Sequence, residues 1–224
     1  MADESGFDAI VLAGGRGERM GIGARADPAR GVDHEQNLDK VLLHVGDLSL
    51  LDHAVLAVAA AATTVVVGPR RPSHRPTSQR HSFEAGSDAE LIWTREHPPG
   101  SGPASAIVHA LTLVRRPVVV VVAGDMPFAA TAIIRLLEAV SGHDAAMLID
   151  EDGRRQPLIA AYVTDTLRAR GTSRNWAEQS VRALVEGLDI AEVSARDDEA
   201  LDCDTPADLA RARAVAATRS DRGD

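Results

Sequence analysis

The chain has 224 residues and carries 33 acidic against 24 basic side chains, a formal net charge of −9. That is the length of one α/β domain and the wrong sign for a general nucleic-acid or anionic-membrane binder. A hydrophobic fraction of 45% supports a core, but only 3% is aromatic, so Ala, Val, Leu and Ile must build it; the single cysteine, Cys203, excludes an internal disulfide or a cysteine-cluster metal site.

Met1-Ala2-Asp3-Glu4-Ser5 is acidic where a targeting leader would be basic, so a cytoplasmic protein is expected. Residues 7–13 are an apolar run that predicts a buried first strand. It opens into Gly14-Gly15-Arg16-Gly17-Glu18-Arg19-Met20-Gly21, a glycine-rich loop with two arginines. A buried strand that ends in such a loop brings bare backbone N–H groups up to phosphate oxygens. The spacing is not a dinucleotide fingerprint, whose third glycine would fall at Met20, nor a Walker loop, which needs Gly-Lys-Ser/Thr. Residues 22–38 show no period and read as a mobile functional loop. Asp39-Lys40 then precedes Val41–Val45, expected as a short strand.

Asp47 or Ser49 can cap a helix running to about Ala61, and Thr63–Val67 reads as a core strand. Leu50–Val67 carries Asp52, His53 and threonines, so it is helix plus strand and not a membrane span. Residues 69–88 are polar, proline-bearing and arginine-rich, a second mobile loop. Glu90–Arg95 predicts a strand, and His97–Pro103 a loop opening a helix over 104–114. Val118–Ala123, with five consecutive valines, predicts a central strand covered on both faces. Gly124-Asp125-Met126-Pro127 breaks it, and a helix follows to about Val140. Ala145–Ile149 and Pro157–Tyr162 flank a turn at Asp150–Gly153 and predict a hairpin. Helices are expected near 164–170 and 176–187, a last strand over Ile190–Val193, and a final helix with Thr205 as N-cap and Pro206 at its first position. The termini, 1–6 and 217–224, are expected to fray.

Strands alternating with helices predict a single domain over residues 1–224, of the α/β class. Its architecture would be three-layer: a mostly parallel, mixed, twisted sheet with helices on both faces. In such sheets ligands bind at the carboxyl ends of the strands. Gly14 and Asp125 both fall just past strand ends and so share one rim.

Leu12-Ala13-Gly14-Gly15, Arg19-Met20-Gly21, Asp39-Lys40 and Gly124-Asp125-Met126-Pro127-Phe128 together resemble the nucleotidyltransferase superfamily, with its Rossmann-like fold. Within it the pattern is most similar to molybdenum cofactor guanylyltransferase. The lysine of that family follows shortly after Arg-Met-Gly, whereas here Ile22–Leu38 intervenes. The resemblance implies that Leu12, Ala13, Gly14, Gly15, Arg16, Gly17, Arg19, Lys40, Gly102, Pro103 and Asp125 bind the nucleotide, and that Arg19, Lys40 and Asp125 are catalytic. It implies Asp125 as a ligand of Mg²⁺, or of Mn²⁺ in its place, with Asp204 as a second carboxylate. Mg²⁺ is usually held by one or two carboxylates plus substrate phosphates, which agrees. Arg155-Gln156-Pro157 lies where that family binds its pterin acceptor, and Glu96 where it tends to carry an acid. Each residue also has a plainer role: Asp125 as a helix cap, Thr205-Pro206 as a turn, Arg155 as a hairpin tip and Cys203 as a small buried filler.

The implied reaction moves GMP from GTP to molybdenum-bearing molybdopterin and releases pyrophosphate. No general base is needed, because an acceptor phosphate is already ionised. Asp202-Cys203-Asp204-Thr205-Pro206 is more similar to the cytidylyltransferases of the same cofactor, and Ala104-Ser105-Ala106 replaces the family's Leu-Ala-Gly near the base. CMP transfer is therefore the alternative, a sugar-1-phosphate nucleotidyltransferase the third, and a non-catalytic nucleotide-binding regulator the reading from another class. The expected partners are GTP, molybdopterin and transient cofactor-biosynthesis or delivery proteins, with no nucleic acid and no membrane, and the expected state is a monomer. Ile22–Leu38 is expected to order over bound nucleotide and deliver Lys40.

Overall fold

The computed structural model describes residues 6–14, 39–71 and 89–222. Among these, nine strands and six α-helices follow in order: β1 Phe7–Leu12, β2 His44–Val45, β3 Leu48–Ser49, α1 Leu50–Ala57, β4 Thr63–Val67, β5 Glu90–Thr94, α2 Pro103–Ala110, β6 Val118–Ala123, α3 Ala130–Ala139, β7 Ala145–Ile149, β8 Arg155–Val163, α4 Thr164–Gly171, α5 Val181–Leu184, β9 Ile190–Ser194 and α6 Pro206–Arg222. Seven strands form one sheet in the order β5-β4-β1-β6-β8-β7-β9. All are mutually parallel except β8, which runs antiparallel to both β6 and β7. The sheet is thus mixed and mostly parallel, as the sequence predicts.

Alternation along the central strands builds the layers. Ala9, Val11, Val120 and Val122 face one side, where α1 and α3 bring Leu51, Val55, Ile133 and Leu136. Ile10, Val119 and Val121 face the other, where α2, α4 and α5 bring Ile107, Leu167 and Leu184. All these strand residues are fully buried, which is why an unbroken valine run suits β6. Asp8 is buried within β1 and accepts backbone N–H groups from Arg115 at 2.5 Å, Arg116 at 2.9 Å and Thr63 at 3.0 Å, tying the base of the sheet together.

Three expectations change. The run Val41–Val45 is not one strand. Leu42 N–H donates to the Asp39 carbonyl and Leu43 N–H to the Lys40 carbonyl, which winds Lys40–Leu42 into a single 3₁₀ turn. Of the run, only His44–Val45 pairs as a strand, and Gly46, with φ 61°, folds it back onto β3. The predicted 176–187 helix shrinks to Val181–Leu184: Glu178 has φ 59°, Ser180 caps the helix by accepting Ala183 N–H at 3.2 Å, and Gly187 at φ 77° follows it. The final helix does not fray at Ala217 but continues to Arg222. Its Leu209, Ala212, Val215 and Ala216 pack on Val45, Leu50 and Phe128, and Arg213 donates to the His44 carbonyl at 2.9 Å. No helix among the described residues is long and apolar enough to cross a membrane.

Candidate functional site

The strand order reverses at β1: β4 and β5 follow on one side, and β6 lies on the other. The crevice at such a switch point is where ligands dock in open α/β sheets. Its floor is tightly laced. Ala13 N–H donates to the Val67 carbonyl and Gly124 N–H to the Leu12 carbonyl, both at 2.8 Å. Two glycines allow this approach. A Cβ on Gly68 would lie 2.6 Å from the Ala13 oxygen, and one on Gly124 would lie 3.0 Å from the Leu12 oxygen. Leu12, Ala13 and Gly14 therefore stand at the mouth, as expected. Gly15, Arg16, Gly17 and Arg19 lie outside the described residues, as do Ile22–Leu38 and residues 72–88.

Lys40 enters this mouth from its 3₁₀ turn. Its side chain is only 6% exposed, and its Nζ lies 2.6 Å from Asp125 Oδ2 while also bonding Asp204 Oδ1. Burial opposes the ammonium charge. The field of Asp125 and the hydrogen bonds to Asp125 and Asp204 outweigh it, so the pKa of Lys40 stands above the ordinary lysine value. Lys40 is thus seated at the carboxylates; the expected ordering of Ile22–Leu38 over bound nucleotide lies outside the described residues.

Asp125 follows the end of β6, and Asp204 is brought to it by two anchors. Cys203 N–H donates to the Asp125 carbonyl at 3.1 Å, and the Cys203 side chain is fully buried beside Leu50 and Phe128. Burial, with the nearby Asp125 charge, pushes its thiol up to about 12, so it is the inert filler expected and not a nucleophile. Further back, buried Glu199 bonds Arg135 of α3, accepts the Thr131 hydroxyl at 2.7 Å and takes Arg196 N–H at 2.8 Å, pinning the segment that leads to Asp204. After it, Asp208 accepts from both Thr205 N–H and its hydroxyl at 2.7 Å, while Thr205 Oγ1 takes Asp208 N–H, so Thr205 is the N-cap predicted. Asp202 stands beside the pair; partial desolvation and the charges of Asp204 and Asp125 raise its carboxyl above the usual range.

Gly102 and Pro103 open α2, with Gly102 at φ 91° and Pro103 at the first helical position. Glu96 is buried and accepts Gly100 N–H at 2.7 Å, fixing the loop ahead of that helix. The antiparallel pairing of Val122 with Ile159 carries Arg155, Gln156 and Pro157 past the end of β6, onto the rim of Asp125. Their hydrogen bonds are local. Arg155 pairs with Glu192 at 2.8 Å, Gln156 donates to Asp150 at 2.7 Å, and the Pro157 carbonyl accepts the Tyr162 hydroxyl at 2.7 Å.

One buried residue was not legible as special. Arg71 is 6% exposed; its guanidinium bonds the Asp39 carboxylate and donates to the Ala13 carbonyl at 2.6 Å. It anchors the start of the arginine-rich 69–88 stretch, where four arginines within twelve residues gave no sign of which one turns inward.

Could the carboxylate pair hold a divalent ion? Among the described residues no cluster of three or more His, Cys, Asp or Glu side chains is placed to hold a metal. Asp125 and Asp204 nevertheless converge on one cation, the Lys40 ammonium, which marks the point that their oxygens share. Two hard oxygen donors open to a phosphate-bearing ligand suit Mg²⁺ or Mn²⁺ and not a closed zinc-type cage.

A glycine-lined switch point, a seated lysine and a carboxylate pair stand together at one mouth of an α/β sheet, and sequence comparison gives the family. The profile of the MobA-like NTP transferase domain matches residues 9–195, and the chain belongs to that family. It is 31% identical over 160 residues to a probable molybdenum cofactor guanylyltransferase of Methanosarcina acetivorans, covering 69% of this chain and 62% of the relative, less than two thirds of that protein's length. A protein of the same description from Natronomonas pharaonis is 26% identical over 215 residues, 91% of this chain and 95% of its own. Among solved structures, molybdopterin-guanine dinucleotide biosynthesis protein A of Archaeoglobus fulgidus superposes with TM-score 0.62 at 21% identity, covering 94% of this chain and 99% of that one. A nucleotidyl transferase from Methanothermobacter superposes with TM-score 0.68 at 20% identity, covering 96% and 99%. At these identities the structural likeness establishes the fold alone.

Proposed function

We propose that the chain is an enzyme that transfers GMP from GTP to the phosphate of molybdenum-bearing molybdopterin, releasing pyrophosphate. The observation that carries the reading is the Lys40 ammonium bridging Asp125 and Asp204 at the β1–β6 switch point. The curated relatives named as molybdenum cofactor guanylyltransferases support the choice of nucleotide and acceptor.

An acceptor phosphate oxygen attacks the α-phosphorus of GTP. The new P–O bond forms as the α–β bridging P–O bond breaks, and the electron pair leaves with pyrophosphate. The attacking oxygen is already ionised near neutral pH, so no proton has to be removed. Positioning and neutralisation of charge then do most of the catalysis. Ala13 N–H is held by the Val67 carbonyl, so the backbone N–H groups assigned to the phosphates are those from Gly14 onward, and Lys40 moves from the carboxylates to the departing pyrophosphate oxygens. Arg19 is assigned the same task on the phosphate chain. Asp125 and Asp204 would hold Mg²⁺, or Mn²⁺ in its place. When bound, the ion supplies charge neutralisation on the reacting phosphates. Arg155, Gln156 and Pro157 are assigned to the acceptor side, and Gly102 and Pro103 to the base side.

Release of pyrophosphate from GTP, CTP, ATP and UTP, each with and without molybdenum-bearing molybdopterin, tests the assignment. Release with GTP and acceptor together is expected. Preference for CTP would move the enzyme to cytidylyl transfer, and tight GTP binding without release in the presence of acceptor would make the chain a nucleotide-binding regulator.

A further inference from the structure

Among the described residues, Arg71 is a cation at the mouth whose side chain is largely covered and which has no part in the proposed chemistry. Its guanidinium joins three separate segments. It bonds Asp39 Oδ2, donates to the Ala13 carbonyl at 2.6 Å and to the Pro69 carbonyl at 3.3 Å. Ala13 is where the chain leaves β1 for the glycine loop, Pro69 follows β4, and Asp39 immediately precedes Lys40. Gly68 completes the join, since its N–H donates to the Thr94 carbonyl at 2.9 Å while its bare Cα abuts Ala13.

We infer that Arg71 is a positioning residue for nucleotide binding: through Asp39 it holds the turn that presents Lys40, and through Ala13 it fixes the point where the chain leaves β1 for the glycine loop. Two features make the strut necessary. Asp39 Oδ1 is buried with no hydrogen-bond partner among the described residues, so Arg71 is what compensates that carboxylate. A carboxylate with one oxygen buried and its side chain 26% exposed turns toward water when its partner is removed. Any such movement is passed directly to Lys40, because the Asp39 carbonyl also accepts the Leu42 N–H that closes the 3₁₀ turn. A single ammonium cannot replace the planar fork, which reaches a carboxylate and two carbonyls at once.

This inference rests on the nucleotide site proposed above, and the test separates the two. Calorimetric binding of Mg–GTP and steady-state pyrophosphate release are measured for the full chain, Arg71→Met, Arg71→Lys, Asp39→Asn and the double variant Asp39→Asn/Arg71→Met. Arg71→Met is expected to weaken Mg–GTP binding and raise the KM for GTP at least tenfold, with the KM for the acceptor unchanged. Arg71→Lys is expected not to rescue it. Asp39→Asn/Arg71→Met should bind better than Arg71→Met, because the uncompensated charge is gone. Unchanged GTP binding in Arg71→Met, or a rise confined to the acceptor KM, would overturn the inference. A second measurement needs no nucleotide: thermal melting of Arg71→Met, Lys40→Met and their combination. A double variant that melts higher than the sum of the two losses is expected, since both act on one turn; strict additivity would overturn the strut. Coupled melting in a chain that binds no GTP would leave the strut standing and refute the proposed function.

Discussion

Replacing Lys40 by Met gives the most informative perturbation of the site. Lys40 is 6% exposed, while the side chains of Asp125 and Asp204 keep 23% and 33% of their exposure. Breaking a fully buried pair costs about 3–5 kcal/mol, and an exposed pair is worth about 0–1 kcal/mol. With one partner buried and two partly wet, a loss of about 2 kcal/mol is expected. For a chain of this size that lowers the melting temperature by roughly 4–8 °C. The variant leaves two carboxylates facing one vacated point, so it should regain stability when a divalent cation enters. At a hundred times its Kd, Mg²⁺ would restore about 2.7 kcal/mol. The assay is thermal melting with and without MgCl₂ at matched ionic strength and no nucleotide. Wild type should respond little, because its own ammonium already fills the point. An unshifted melting temperature in Lys40→Met, or equal Mg²⁺ responses in the two proteins, would refute the reasoning.

Other outcomes follow from the same geometry. Because Lys40 is raised above its ordinary value of 10.5 when folded, its contribution is fully present below that pH and is lost as pH rises through the higher folded pKa. Alkaline unfolding of wild type should therefore show a loss above pH 10.5 that Lys40→Met lacks. Asp125→Asn should reduce pyrophosphate release by on the order of 10²–10³ while circular dichroism stays native; full turnover would remove Asp125 from the chemistry. Gly68→Ala puts a carbon 2.6 Å from the Ala13 oxygen and should destabilise the fold by about 1–3 kcal/mol, read by urea unfolding.

The parts legible in the sequence are those where local pattern and tertiary demand agree. Val118–Val122 is an unbroken β-branched run at the centre of the sheet, and Val119–Val122 are buried on both faces, so composition alone places this strand. Thr205-Pro206 carries its own capping chemistry, and the structure uses it as read. The misreadings arise where backbone hydrogen bonds or distant partners decide the structure. Val41–Val45 is apolar enough for a strand, but a hydrogen bond from Leu42 to the Asp39 carbonyl winds it, and that turn seats Lys40. The end of α6 reads as a fraying terminus because nothing in the local sequence shows what holds the helix; Val215 and Ala216 pack in a cluster with Val45 and Leu50, far away in the chain. Arg71 was invisible for a related reason, since its partners Ala13 and Asp39 meet it only in the fold.

The central claim, nucleotidyl transfer, is tested most directly by following two labels. The chain is given molybdenum-bearing molybdopterin and GTP labelled at either the α- or the γ-phosphate. The account predicts α-label in the acceptor product and γ-label in free pyrophosphate. Transfer of γ-label to the acceptor, or loss of γ-label as inorganic phosphate with no labelled acceptor, would contradict it.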